Sequence, residues 1–116
     1  MDNQDTVLHR LAAVIESRKL SRPSGSYTAR LLDAGVVRIG EKIREEAAEL
    51  ADAARLPEND RAGAVIHEAA DLTYHLMVTL AACDVRFQDV EAELGRRFGT
   101  SGLEEKAARP HPPRAE

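Results

Sequence analysis

Along this chain apolar residues return at steps of three and four and nowhere alternate with polar ones over the length of a strand. That periodicity predicts helices throughout. A first helix over about 5–19 carries the stripe Val7, Leu8, Leu11, Val14 and Ile15. It ends before Arg22-Pro23-Ser24-Gly25, where Pro23 also disfavours helix at Arg22. A short helix from Tyr27 to Ala34 ends at Gly35. A long helix over 36–56 has the most regular spacing: Val36, Ile39, Ile43, Ala47, Leu50 and Ala54 share one narrow arc at about 100° per residue. Pro57 breaks it, and Asn59 or Asp60 is the expected cap of the next helix, over 61–83. The main apolar face there is Val65, Ile66, Ala69, Leu72, Leu76, Leu80 and Cys83. A last helix over 87–98 puts Phe87, Val90, Leu94 and Phe98 on one side, before Gly99-Thr100-Ser101-Gly102. The tail 109–116, with three prolines and no pattern for a core, is expected to be disordered. The prediction is one all-α domain over 1–108, an antiparallel helical bundle of four to five helices.

Composition adds a need for self-association. Of 116 residues 50 are apolar, but 19 of these are alanine and only 4 are Phe or Tyr. A domain of this length buries roughly 65% of its unfolded surface, so the core is thin and the bundle is expected to be completed by oligomerisation. Twenty acidic against 16 basic residues give a net charge of −4, which excludes a nucleic-acid binder held by counterion release. An anionic substrate needs local help, such as a metal. Lone Cys83 reads as a buried, inert thiol in a reducing compartment. The acidic N-terminus is unlike a signal peptide, and the longest mostly apolar run, Leu76 to Cys83, is far short of a membrane span. The expected location is cytoplasmic, with no membrane partner.

The chemistry lies in an echo between the two long helices: Glu46-Ala47-Ala48-Glu49 and Glu68-Ala69-Ala70-Asp71. Acids three apart are neighbours on a helix surface and can reach a common point. The spacing is common on solvated helices; its position beside the apolar face is what distinguishes it here. Lys42, Glu46 and Glu49 form a stripe bordering the apolar arc, with Glu41, Glu45 and Asp52 turned to solvent. The later helix is apolar nearly all round, and Glu68, Asp71 and His75 fill the gap. Eighteen residues, Leu50 to His67, separate the tetrads, enough to finish one helix, turn and return antiparallel, so the pairs face each other. Four converging acids outnumber nearby cations, and burying them unpaired is costly. A divalent cation neutralises them economically, and hard oxygen ligands favour Mg2+, with Mn2+ possible.

Three segments, Ser26-Tyr27-Thr28-Ala29-Arg30-Leu31-Leu32, Glu45-Glu46-Ala47-Ala48-Glu49 and Glu68-Ala69-Ala70-Asp71-Leu72-Thr73-Tyr74-His75-Leu76, resemble the phosphoribosyl-ATP pyrophosphohydrolases. These are second-step enzymes of histidine biosynthesis within the all-α MazG-type nucleotide pyrophosphohydrolases. The likeness covers Leu8 to Phe98. It implies magnesium on Glu46, Glu49, Glu68 and Asp71, and hydrolysis of phosphoribosyl-ATP between the α and β phosphates to phosphoribosyl-AMP and pyrophosphate. One glutamate is expected to orient the water; Glu45 is a further catalytic candidate, although it projects to solvent. Ser26, Tyr27, Thr28 and Arg30, which open a short helix after a glycine, and Lys42 are the expected substrate-binding residues. Arg44 departs from the glycine common in relatives. A homodimer or higher oligomer is implied, with sites at or near the subunit interface and the product handed to a separate cyclohydrolase. His75 is expected to hydrogen-bond the buried acid beside it; Tyr74 and Met77 read as core or subunit contacts, and His9 and His67 have no supporting pattern. The alternatives are a housekeeping nucleoside triphosphate pyrophosphohydrolase, against which the Ser26-Tyr27-Thr28 segment speaks, and a non-catalytic helical dimerisation module.

Overall fold

The computed structural model describes residues 6–98 and 106–109. Among the described residues five helices follow one another, α1 (Val7–Ser21), α2 (Tyr27–Ala34), α3 (Val36–Ala53), α4 (Glu58–Ala82) and α5 (Phe87–Arg96), with a further helical turn at 106–108 and no strand. The all-α expectation holds, and α2 has the predicted bounds. The expected tail lies outside the described residues from 110 onward.

The start of α4 corrects the sequence reading. Its cap is Pro57 rather than Asn59 or Asp60. A proline loses nothing there, because the first amides of a helix have no intrahelical acceptor. Glu58 and Asp60 then lie in the first turn, where negative charge favours the helix dipole. Between α2 and α3 the chain turns on Gly35, which closes one helix and opens the next at φ +91°, a conformation costly for any residue with a Cβ.

The core is where four helices meet: Ile15 of α1, Leu31 and Leu32 of α2, Ile39 of α3, and Met77, Val78 and Ala81 of α4. The pair α3 and α4 has the most extensive contact between helices. They run antiparallel: Ile39 of α3 shares the core with Val78 of α4, whereas Glu49, further along α3, meets Glu68, earlier on α4. At the other end α5 is tied to α1 by His9 Nε2, which hydrogen-bonds Glu91 at 2.6 Å, and by the edge of Phe87 against the His9 ring. Buried His9 therefore has a structural role that its sequence context did not signal.

Several apolar residues turn outward, contrary to the predicted stripes. On α3 Ile39 is fully buried, but Val36, Ala47 and Ala54 are exposed. On α4 Ile66 is 70% exposed, and Leu76 and Cys83 are also on the surface. Cys83 is thus not the buried thiol expected: it ends the helix, where the chain turns through Asp84 at φ +58°. On α5 the predicted face is only partly covered, with Phe87 and Val90 half-buried, Leu94 exposed and Phe98 81% exposed. Of the α1 stripe, Ile15 alone is buried.

Candidate functional site

The shift in phase on α3 has a chemical consequence. The helix turns Glu46, not Ala47, toward α4, and Glu46 is only 6% exposed. One carboxylate oxygen from each of Glu46, Glu49 and Glu68 comes within 4.8 Å of the other two. Asp71 lies one turn after Glu68 and groups with it and His67 within the same limit; His67 Nε2 is 3.3 Å from the Asp71 carboxylate. All four sequence-predicted acids thus form one continuous cluster across the α3–α4 interface. His67, which had no supporting pattern, joins its outer edge, because four residues on a helix make one turn.

The electrostatics are those of a site short of positive charge. Glu46 Oε2 and Glu68 Oε2 are buried without a hydrogen-bond partner. Burial pushes the Glu46 carboxyl above the ordinary glutamate range, and the charges of Glu49 and Asp71 push it further the same way. Glu68 is raised too, first by the neighbouring Glu49 carboxylate, with which its protonated form would share a hydrogen bond, and then by burial. The nearest ammonium, Lys42, is 3.9 Å from Glu46 but 3.3 Å from Glu45. It pairs with both and lies closer to Glu45. Bonding to Glu45 raises the lysine pKa and keeps it charged. Glu45 itself is exposed, as its projection predicted. Arg38 lies on the surface 3.6 Å from Glu41.

The donor set suits a hard divalent ion. It is all oxygen at its buried end, comes from two rigid helices and includes two orphaned buried oxygens that a cation would satisfy. Glu46, Glu49, Glu68 and Asp71 are the residues that fit it.

The substrate candidates on α2 divide. Ser26 Oγ caps the helix by accepting from the Ala29 amide at 3.1 Å. Thr28 is buried, and its hydroxyl bonds the Tyr74 hydroxyl. Both are therefore engaged in holding α2 in place. Tyr27 and Arg30 remain exposed. His75 also departs from expectation. Its Nδ1–H donates to the backbone carbonyl of Asp71 at 2.8 Å, not to the carboxylate, and its Nε2 meets the Tyr27 hydroxyl at 3.2 Å. Met77 is core, as read, and Tyr74 packs against it.

A concavity of about 420 Å³ lies at the far end of α4 between α1 and the start of α5, lined by His9, Lys19, Met77, Asp84 and Phe87 among others. It contains none of the clustered acids. Lys19 there is engaged by Asp84 and by the Ala81 carbonyl at 2.8 Å. The chemistry belongs with the unsatisfied acids.

The chain is similar to known proteins over most of its length. The sequence profile described as phosphoribosyl-ATP pyrophosphohydrolase matches residues 8–98. A protein of Rhodopirellula baltica named phosphoribosyl-ATP pyrophosphatase is 50% identical over 103 residues, 89% of this chain and 86% of its own. Proteins of the same name from Rhodobacter capsulatus and Paracoccus denitrificans are each 53% identical over 90% of this chain, covering 98% and 94% of their own lengths.

Proposed function

The chain belongs to the phosphoribosyl-ATP pyrophosphohydrolase family, and from the acid cluster we infer that it hydrolyses phosphoribosyl-ATP to phosphoribosyl-AMP and pyrophosphate, with Mg2+ as cofactor. Water adds to the α phosphorus, the bond to the oxygen bridging α and β breaks, and pyrophosphate leaves. The observation that carries the metal is the pair of buried, unpartnered oxygens on Glu46 and Glu68.

A bound divalent ion supplies charge neutralisation for the triphosphate and the leaving group. Glu46, Glu49, Glu68 and Asp71 would hold it. The raised pKa of Glu46 lets it keep a proton to a higher pH than a surface glutamate does, a proton that a cation held there would displace. Glu49, exposed yet within 4.8 Å of Glu46 and Glu68, faces solvent at the cluster and is the acid best placed to orient the water. Lys42 and exposed Arg30 are the cations available to the phosphates.

We further propose a homodimer or larger assembly, located in the cytoplasm. Val37, Ile66, Leu94 and Phe98 all stand exposed on one chain, more apolar surface than so thin a core leaves spare. No helix among the described residues is long and apolar enough to cross a membrane. Ile66→Asp is expected to shift the sedimentation coefficient toward that of a monomer; an unchanged value would remove Ile66 from the interface.

The deciding assay is pyrophosphate release from phosphoribosyl-ATP beside ordinary nucleoside triphosphates, with and without Mg2+. Preference for the common triphosphates would favour a housekeeping role; turnover unaffected by chelator would refute the metal.

A further inference from the structure

Next to the acid cluster is a brace that the proposed chemistry does not use. His75, only 5% exposed, has both ring nitrogens engaged. A backbone carbonyl can only accept, so the 2.8 Å contact with Asp71 fixes the proton on Nδ1. Nε2 then holds a lone pair, and the Tyr27 hydroxyl at 3.2 Å must donate to it. Two rings stand edge-on to the imidazole, Tyr27 at 6.1 Å and 88° and Tyr74 at 5.1 Å and 83°. Tyr27 and Tyr74 stack with centroids 6.1 Å apart at 21°, and Thr28 anchors the Tyr74 hydroxyl. Tyr27 is thus held through its hydroxyl from α4 and through its backbone from α2, yet it remains 44% exposed. An exposed aromatic ring fixed at its polar end is a preorganised platform rather than a core residue.

Resting on the function inferred above, we propose that His75 is a positioning residue that orients Tyr27, and that the Tyr27 ring is a substrate contact taking the flat, aromatic base of the nucleotide. The acid cluster handles the phosphates; the brace fixes how far from them the base lies. His75 acts through Tyr27, so its loss disturbs substrate affinity and spares the metal.

The test uses the intact protein with phosphoribosyl-ATP, and calorimetry with Mn2+ alone. His75→Phe keeps a ring but offers Tyr27 no acceptor. It is expected to raise KM about tenfold, the scale of one lost oriented contact, while kcat stays within about twofold and Mn2+ affinity is unchanged. Tyr27→Phe should match it, the double variant should be no worse than either, and Tyr27→Ala should exceed both. His75→Gln, whose amide oxygen can accept the phenol, should restore most of the affinity. Parallel falls in kcat and Mn2+ binding in His75→Phe would overturn the proposal, since His75 would then be serving Asp71. Multiplicative effects in the double variant, or an unchanged KM in a folded single variant, would overturn it too. If His75→Phe does not fold, Tyr27→Phe decides by its KM. Failure of the functional reading itself appears separately, as absent pyrophosphate release by the unaltered protein.

Discussion

From Glu58 to Asp71, α4 buries no residue fully and brings Glu68 and Asp71 toward the carboxylates of α3; from His75 to Ala82 it contributes His75, Met77, Val78 and Ala81 to the interior. The second half packs as a hydrophobic core does, with Ile15, Leu31, Leu32 and Ile39 around it. The first half places acid against acid. Apolar burial at one end sets the antiparallel register, and that register forces Glu46 and Glu49 against Glu68 at the other. The stability of the core end is what allows the acid end to carry buried carboxylate oxygens without hydrogen-bond partners.

The sharpest way to break this division is at Glu49 and Asp71. Glu49→Ala or Asp71→Ala is expected to lower turnover about 10²–10³-fold, as loss of one preorganised electrostatic contact does, with circular dichroism and the melting curve nearly unchanged. A large loss of fold instead would mean that the acid end is also structural. Met77→Ala should do the reverse, destabilising by about 2–5 kcal/mol in denaturant titration while the folded fraction still binds Mn2+ in a calorimeter. Mg2+ at a hundred times its dissociation constant should then stabilise the unaltered protein by about 2.7 kcal/mol. In Glu46→Gln, which replaces a buried acid by a neutral isostere, that gain should shrink and the metal-free melting temperature should rise by a few degrees.

The smallest expected effect is on pH dependence. Glu46 and Glu68 have raised pKa values in the folded chain, so the folded state binds protons more tightly than the unfolded state at these sites. Their contribution is most favourable below the ordinary glutamate range and is lost as pH rises through the raised values. Asp84 and Glu93, lowered chiefly by their hydrogen bonds to Lys19 and Arg96, act the opposite way and lose their contribution as pH falls. Thermal melts across this window, with and without Mg2+, should show the metal-free curve losing stability toward neutrality and the loaded one remaining flatter. Identical profiles would mean that the cluster is not strained without metal.

Much of this was legible in the sequence because it depends on local spacing. Steps of three and four along Val36 to Ala54 define a helix whatever it packs against, and the paired acid tetrads were visible for the same reason. The phase was not legible. Alanines at 47, 48, 53 and 54 mark a face only weakly, and Ala53 is buried while Ala47 and Ala54 are not. Likewise the Ser26-Tyr27-Thr28 segment read as substrate-binding throughout, although the Ser26 and Thr28 hydroxyls hold α2 in place. His9 and His75 gave no signal of their structural partners, because those partners, Glu91 and Tyr27, are 82 and 48 residues away.

The sequence by itself determined that the chain is helical, that its acids come in two facing pairs and which family it resembles, since side-chain period and short motifs are properties of neighbouring residues. Only the tertiary structure decided which side of each helix is inside, that Glu46 is the most buried acid and that Tyr27 is braced by His75. Those outcomes depend on how far α4 slides and turns against α2 and α3, and Met77, Val78 and Ile39 fix that by packing across the core.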